Sequence, residues 1–117
     1  METQYHRGNQ RVRKHLNKIS LQGIVITNPK FKPLSSGTPS LVFKICSYET
    51  FQSHGRTSKH ENEFIVEALG STASRAARTI KKGQEYVFDG YLRSDKYMKD
   101  GKRLQRIRVR IFHVEQL

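Results

Sequence analysis

An all-β domain is predicted, with five strands closed into a barrel and one short helix, and three observations carry that prediction. Apolar residues alternate with polar ones in five separate stretches. A single alanine-rich segment instead repeats at helical spacing. With 117 residues, the chain has the size of one domain and leaves no room for a second conventional core.

The elements follow in order. Residues 1–16, METQYHRGNQRVRKHL, hold Arg7, Arg11, Arg13 and Lys14 against Glu2 and show almost no apolar pattern. They read as a flexible basic arm that either touches phosphates or simply frays, ahead of a domain over 17–117. In KISLQGIVIT, Ile19, Leu21 and Val25 share one face with Gly23 between them, which predicts the first strand. Asn28-Pro29 ends it, and Pro33, Ser35-Ser36-Gly37 and Pro39 mark an irregular loop. The second strand is SLVFKICSY, with Leu41, Phe43 and Ile45 on one face. QSHGRTSKHEN reads as a long exposed hairpin loop before a third strand, EFIVEAL.

Ala73, Ala76, Ala77 and Ile80 of STASRAARTIKKG fall at helical spacing, with Ser71 as the predicted N-cap and Gly83 as the predicted left-handed C′ residue. QEYVFDGYLRS is the fourth strand, Asp100-Gly101 a hairpin turn, and KRLQRIRVRIFHV the fifth strand. One short helix between strands three and four of a five-stranded barrel describes the OB fold. That barrel binds oligonucleotides on its strand 2–3 face and with the loops joining strands 1–2 and 4–5.

Charge narrows the partner. Lys and Arg number 22 against 10 Asp and Glu, for a net charge of +12 and a pI near 10.2. Polyanions are the natural ligands of such a field, and nucleic acid is favoured over a membrane surface, which would call for an amphipathic basic helix. Only 35% of residues are hydrophobic, so nearly all of them are needed in the core and a large cofactor cavity is not expected. Cys46 is the single cysteine, which excludes an internal disulfide and a cysteine-cluster metal site. No apolar run reaches the ~18 residues of a spanning helix, and no secretory signal is present. The reading is a soluble, cytoplasmic, nucleoid-associated protein that needs no cofactor.

Four clusters carry cations, and three of them add aromatic rings. On the fifth strand, Arg106, Arg108 and Arg110 alternate with Ile107, Val109 and Ile111, which places the guanidiniums on one side about 7 Å apart. That interval suits successive phosphates, although a solvated outer face would look the same. The hairpin between strands four and five carries Arg93, Lys96, Lys99, Lys102 and Arg103 around Tyr97. Between strands two and three lie Phe51, His54, Arg56, Lys59 and His60 beside Tyr48, with packing of Phe51 on Phe64 as the competing role. Between strands one and two lie Lys30, Phe31 and Lys32, with Phe31 as a ligand platform or a barrel cap. Cations capture the backbone and rings accept stacked bases, worth roughly 1–3 kcal/mol per base, with little regard to sequence. Catalysis is not expected. Glu61, Glu63 and Glu67 could be taken for a metal cluster, but alternate positions on a strand more simply form a solvated face.

Residues 17–114 resemble the DNA-binding domain of the bacterial single-stranded DNA-binding protein family, which includes a relative, primosomal replication protein N. The match runs through NKISLQGIVITNP, GTPSLVFKICS, ENEFIVEALGSTASRAARTIKKGQEYVFDGYLRSDKY and DGKRLQRIRVRIFHVEQL, and KKGQEYVFDGYLRSDKY is its most specific part. The resemblance implies base stacking on Phe51, Phe64 and Tyr97, with Phe31 as a further candidate, and a homo-oligomer, either dimer or tetramer. It also implies work on single-stranded DNA in replication, repair or recombination, with replication or repair proteins as further partners. Alternatives left open are an adaptor that hands DNA to a helicase and an RNA-binding barrel protein. Two departures stand out. The family's usual tryptophans are replaced by Phe and Tyr, and its acidic-tipped tail does not follow HVEQL, either because it was truncated or because this is a compact type. A compact binder relying more on charge is the expectation.

Overall fold

The computed structural model describes residues 14–117. Most of the arm predicted over 1–16 lies outside the described residues. Six strands and one helix follow one another: β1 (Ile19–Val25), β2 (Lys30–Pro33), β3 (Pro39–Ser53), β4 (Arg56–Leu69), α1 (Gly70–Thr79), β5 (Glu85–Lys99) and β6 (Lys102–Gln116).

Five of these strands close the expected barrel, in the cyclic order β1, β3, β4, β6, β5. Closure depends on β1 serving two neighbours. It pairs with β5 over Ile19–Ile24 and, at its end, with β3 through Ile24↔Cys46 and Val25↔Ile45. Gly23 lies where β1 crosses from one partner to the other, and a Cβ there would stand 3.0 Å from the Cys46 carbonyl oxygen. The seam on the other side is the parallel pair Val66↔Val109 and Glu67↔Arg110.

The core is made by the residues whose alternation predicted it. Val25, Leu41, Phe43, Ile45, Val66, Tyr86, Phe88, Val109 and Ile111 are all buried, with Ile19, Leu21 and Phe64 packed against them. Helix α1 adds Ala73 and Ala76 to this cluster, with Ile80 just past its end, its small side chains letting the helix approach β3 and β4 closely.

Four local expectations change. β2 forms inside the segment expected to be irregular, pairing as an edge strand from Lys30↔Val42 to Pro33↔Pro39. Pro33 suits an edge, where no partner needs its missing N–H. The stretch Gln52–Asn62 is a strand pair and not a loop, with β3 and β4 in register as far as Ser53↔Arg56. Its side chains are polar on both faces, so no alternation marked it, while the backbone satisfies itself across the ribbon. The two-residue turn His54-Gly55, with φ of 52° and 76°, has the same geometry as Asp100-Gly101.

The other two changes concern the helix. Its N-cap position is Leu69, with no side-chain cap. Ser71 therefore sits inside the first turn, because Gly70 at φ 63° already swings the chain out of β4. Ala77 is exposed, one position off the buried stripe. At the other end the Tyr86 hydroxyl donates to the Thr79 carbonyl at 3.0 Å and accepts from the Lys81 N–H at 2.9 Å. Gly83 takes its positive φ in the turn beyond, donating its N–H to the Val25 carbonyl.

Both long ribbons outgrow the barrel. Because β4 and β6 run parallel at their seam and each begins at its own hairpin turn, the two turns project from the same end of the molecule. The chain measures 61 × 39 × 37 Å along its principal axes, with two β arms standing side by side on a small barrel.

Candidate nucleic-acid interface

Strand register sorts the candidate residues onto two faces. Residues that sit opposite one another across a ladder share a face, so Val42, Cys46 and Tyr48 of β3 lie with Glu67, Glu63 and Glu61 of β4, away from the core. On the second arm, Tyr91, Arg93, Asp95 and Tyr97 of β5 lie with Arg110, Arg108, Arg106 and Leu104 of β6. The predicted arginine row is therefore real as geometry, and it is on the outer face.

Each arm carries one cation stacked on one ring on that face. Lys59 Nζ lies 4.4 Å from the centroid of the Tyr48 ring, and Arg106 Cζ lies 4.9 Å from that of Tyr97. Both are diagonal cross-strand contacts, one step off the directly opposed residue, within reach of long side chains. Tyr48 is half exposed and Tyr97 lies at the margin of exposure, so each pair offers a ring and a positive charge to the same ligand.

At the fork between the arms stands Glu67, only 4% exposed. Its Oε1 accepts from Arg108 Nη1 at 2.5 Å, and its Oε2 accepts from Arg110 Nε at 2.8 Å and Nη2 at 2.6 Å. Burial pushes the Glu67 carboxyl up, but the hydrogen bonds and charges of Arg108 and Arg110 outweigh it and hold the group below its ordinary value. Burial lowers the Arg110 guanidinium, yet hydrogen bonds to Glu67 and Tyr91 leave it raised. Glu67 thus does not belong to a solvated acidic face with Glu61 and Glu63. Its strand position reads as outward, but closure of the barrel seam covers it. Among the described residues no group of three or more His, Cys, Asp or Glu side chains is placed to hold a metal, and no helix is long and apolar enough to cross a membrane.

The remaining candidates fall elsewhere. Phe51 is half exposed but lies opposite Ser58, on the face that continues from the core. It shares that face with Arg56 and Phe64, and Phe64 packs onto the core. Lys30 and Lys32 sit opposite Val42 and Ser40, with Phe31 on the other side of β2, half exposed. Lys99 and Lys102 flank the second turn, while Lys96 and Arg103 lie on the reverse face with Met98. Lys44, exposed between Val42 and Cys46, and Tyr91 beside Arg110 belong to the outer face and escaped the sequence reading. Extending the alternation of SLVFKICSY and QEYVFDGYLRS beyond the core residues was the signal that could have found them.

Known proteins share this architecture. A curated single-stranded DNA-binding protein of Aquifex aeolicus is 28% identical over 95 residues, covering 80% of this chain and 65% of its own length. This chain therefore spans just under two thirds of that relative. The small single-stranded DNA-binding protein of Streptomyces coelicolor superposes with a TM-score of 0.68 at 23% identity, over 85% of this chain and 92% of the other. A Plasmodium falciparum SSB, solved in complex with single-stranded DNA, superposes with a TM-score of 0.79 at 18% identity, over 92% and 99%. At such identities these structures establish the shared OB fold. The family model of the single-strand binding protein family matches residues 16–117, nearly the whole chain, and the chain belongs to that family.

Proposed function

We propose that this chain binds single-stranded DNA with low sequence specificity, in replication, repair or recombination, along the outer face between its two arms. The observation that carries this reading is the matched pair of cation–ring stacks, Lys59 on Tyr48 and Arg106 on Tyr97, on one face of a barrel of this family. A flat ring accepts any base, and the adjacent cation neutralises the phosphate that arrives with it. Duplex DNA keeps its bases stacked inside and offers the rings nothing, so charge alone would hold it. Residues 17–117 form the binding domain on this reading, and the arm over 1–16 adds phosphate contacts. The assembly is a homo-oligomer working at the nucleoid in the cytoplasm.

Titration with oligo-dT and with duplex of equal length, at two salt concentrations and on a sample of measured mass, tests it. The chain has no tryptophan and 5 tyrosines, Tyr48 and Tyr97 among them, so binding can be followed by tyrosine fluorescence. Quenching by oligo-dT, tighter than by duplex and weaker at high salt, is the expected result. Equal or tighter binding of duplex removes the proposal.

A further inference from the structure

The arginine row is not a row of equals. Arg106 has no carboxylate partner among the described residues and lies over Tyr97, while Asp95, opposite it in register, is within 3.8 Å of Arg93 instead. Arg108 and Arg110 share one carboxylate, and their side chains are only 23% and 20% exposed. The Nε of Arg108 is buried with no partner, so its donors turn into the protein. Register makes this arrangement obligatory: Glu67 pairs directly with Arg110 across the parallel seam that closes the barrel.

We propose that Glu67 limits the electrostatic grip of this face, tying Arg108 and Arg110 into a triad of net one positive charge and leaving Arg106 as the row's free phosphate ligand. The proposal rests on the single-strand-binding reading and refines it. A phosphate approaching the fork meets two guanidiniums whose best-aligned N–H groups are already used, with a fixed negative charge behind them. Displacing Glu67 would strand a carboxylate in a site from which water is nearly excluded, a costly exchange. The same phosphate one step along the strand meets an unshared guanidinium beside a ring. DNA is therefore held by the stacks on the arms and only loosely at the fork, which favours release and movement over tight locking.

Salt dependence separates this from direct phosphate contact by all three arginines, because each neutralised phosphate of a single strand contributes about 0.7 to the slope of log affinity against log salt. Binding of oligo-dT is measured across a salt series for the wild type, Glu67→Gln, Arg106→Gln and the charge-conserving double variant Glu67→Gln/Arg110→Gln, with a thermal melt of each to show that it is folded. The proposal expects Glu67→Gln to steepen the slope by about 0.7, Arg106→Gln to flatten it by about as much, and the double variant to return to the wild-type slope. An unchanged or flatter slope for Glu67→Gln, or a double variant flatter than wild type, overturns it. Where the single variant does not fold, the double variant alone decides. A wild type without salt-dependent oligo-dT binding removes the parent reading and this one with it, an outcome distinct from a wild type that binds while the variants disobey.

Discussion

At the scale of single residues, Tyr97 and Glu67 make opposite contributions. Tyr97 offers a surface, so Tyr97→Ala is expected to weaken oligo-dT binding by roughly 1–3 kcal/mol while leaving the salt slope almost unchanged, since no charge is lost. A fluorescence titration over a salt series checks this, and a flattened slope with unchanged affinity would contradict it. Glu67 contributes stability. Its folded-state carboxyl is held below the ordinary value of 4.5, so its stabilisation is complete above that value and is lost as pH falls through the lower, folded-state value. Glu67→Gln should therefore cost about 2 kcal/mol at neutral pH, having replaced charged hydrogen bonds to two arginines by weaker ones. Thermal melts from pH 7 down to pH 3 should show the wild type losing this advantage on the acid side and the variant lacking that part of the decline. Parallel acid limbs would refute the assignment.

Among the elements, β5 and β6 are the most demanding. The ladder slips at Asp89 and Gly90, and a Cβ on Gly90 would lie 2.1 Å from the Arg110 carbonyl oxygen. Backbone cannot yield as a side-chain tip can, so Gly90→Ala should destabilise the fold by about 2 kcal/mol or more. The same shift would displace Arg110 from Glu67, so melting temperature and the salt slope should change together. A variant that melts like the wild type would show that the two strands can separate locally. The arms themselves show why part of the site was illegible. Gln52–Asn62 lacks alternation because neither face is covered, and only His54-Gly55, a turn-forming pair, hinted that two strands met there. Asp100-Gly101 is legible as a turn, since the strands flanking it carry their pattern into the core.

For the molecule as a whole, the charge of +12 acts as a general field and the fork decides where it is felt. Of the predicted phosphate ligands, Arg106, Lys59, Lys30 and Lys32 lie on the outer side of their strands, whereas Arg56, Lys96 and Arg103 take the reverse face. A list of cations in sequence cannot make that division, because it depends on strand register and on which face the barrel turns inward.

The sequence by itself determined the five barrel strands, their order around one helix, the second hairpin turn and most of the buried apolar residues, because alternation and turn chemistry are local and each apolar face had one place to go. It also pointed to a polyanion as the ligand, since net charge needs no fold. Tertiary structure alone decided the rest. The parallel seam of β4 with β6 set the two arms at one end and brought Glu67 against Arg108 and Arg110 from 41 and 43 residues away, while the ladder within each arm set Lys59 over Tyr48 and Arg106 over Tyr97. Contacts across such distances follow from ring closure, and no periodicity along the chain encodes them.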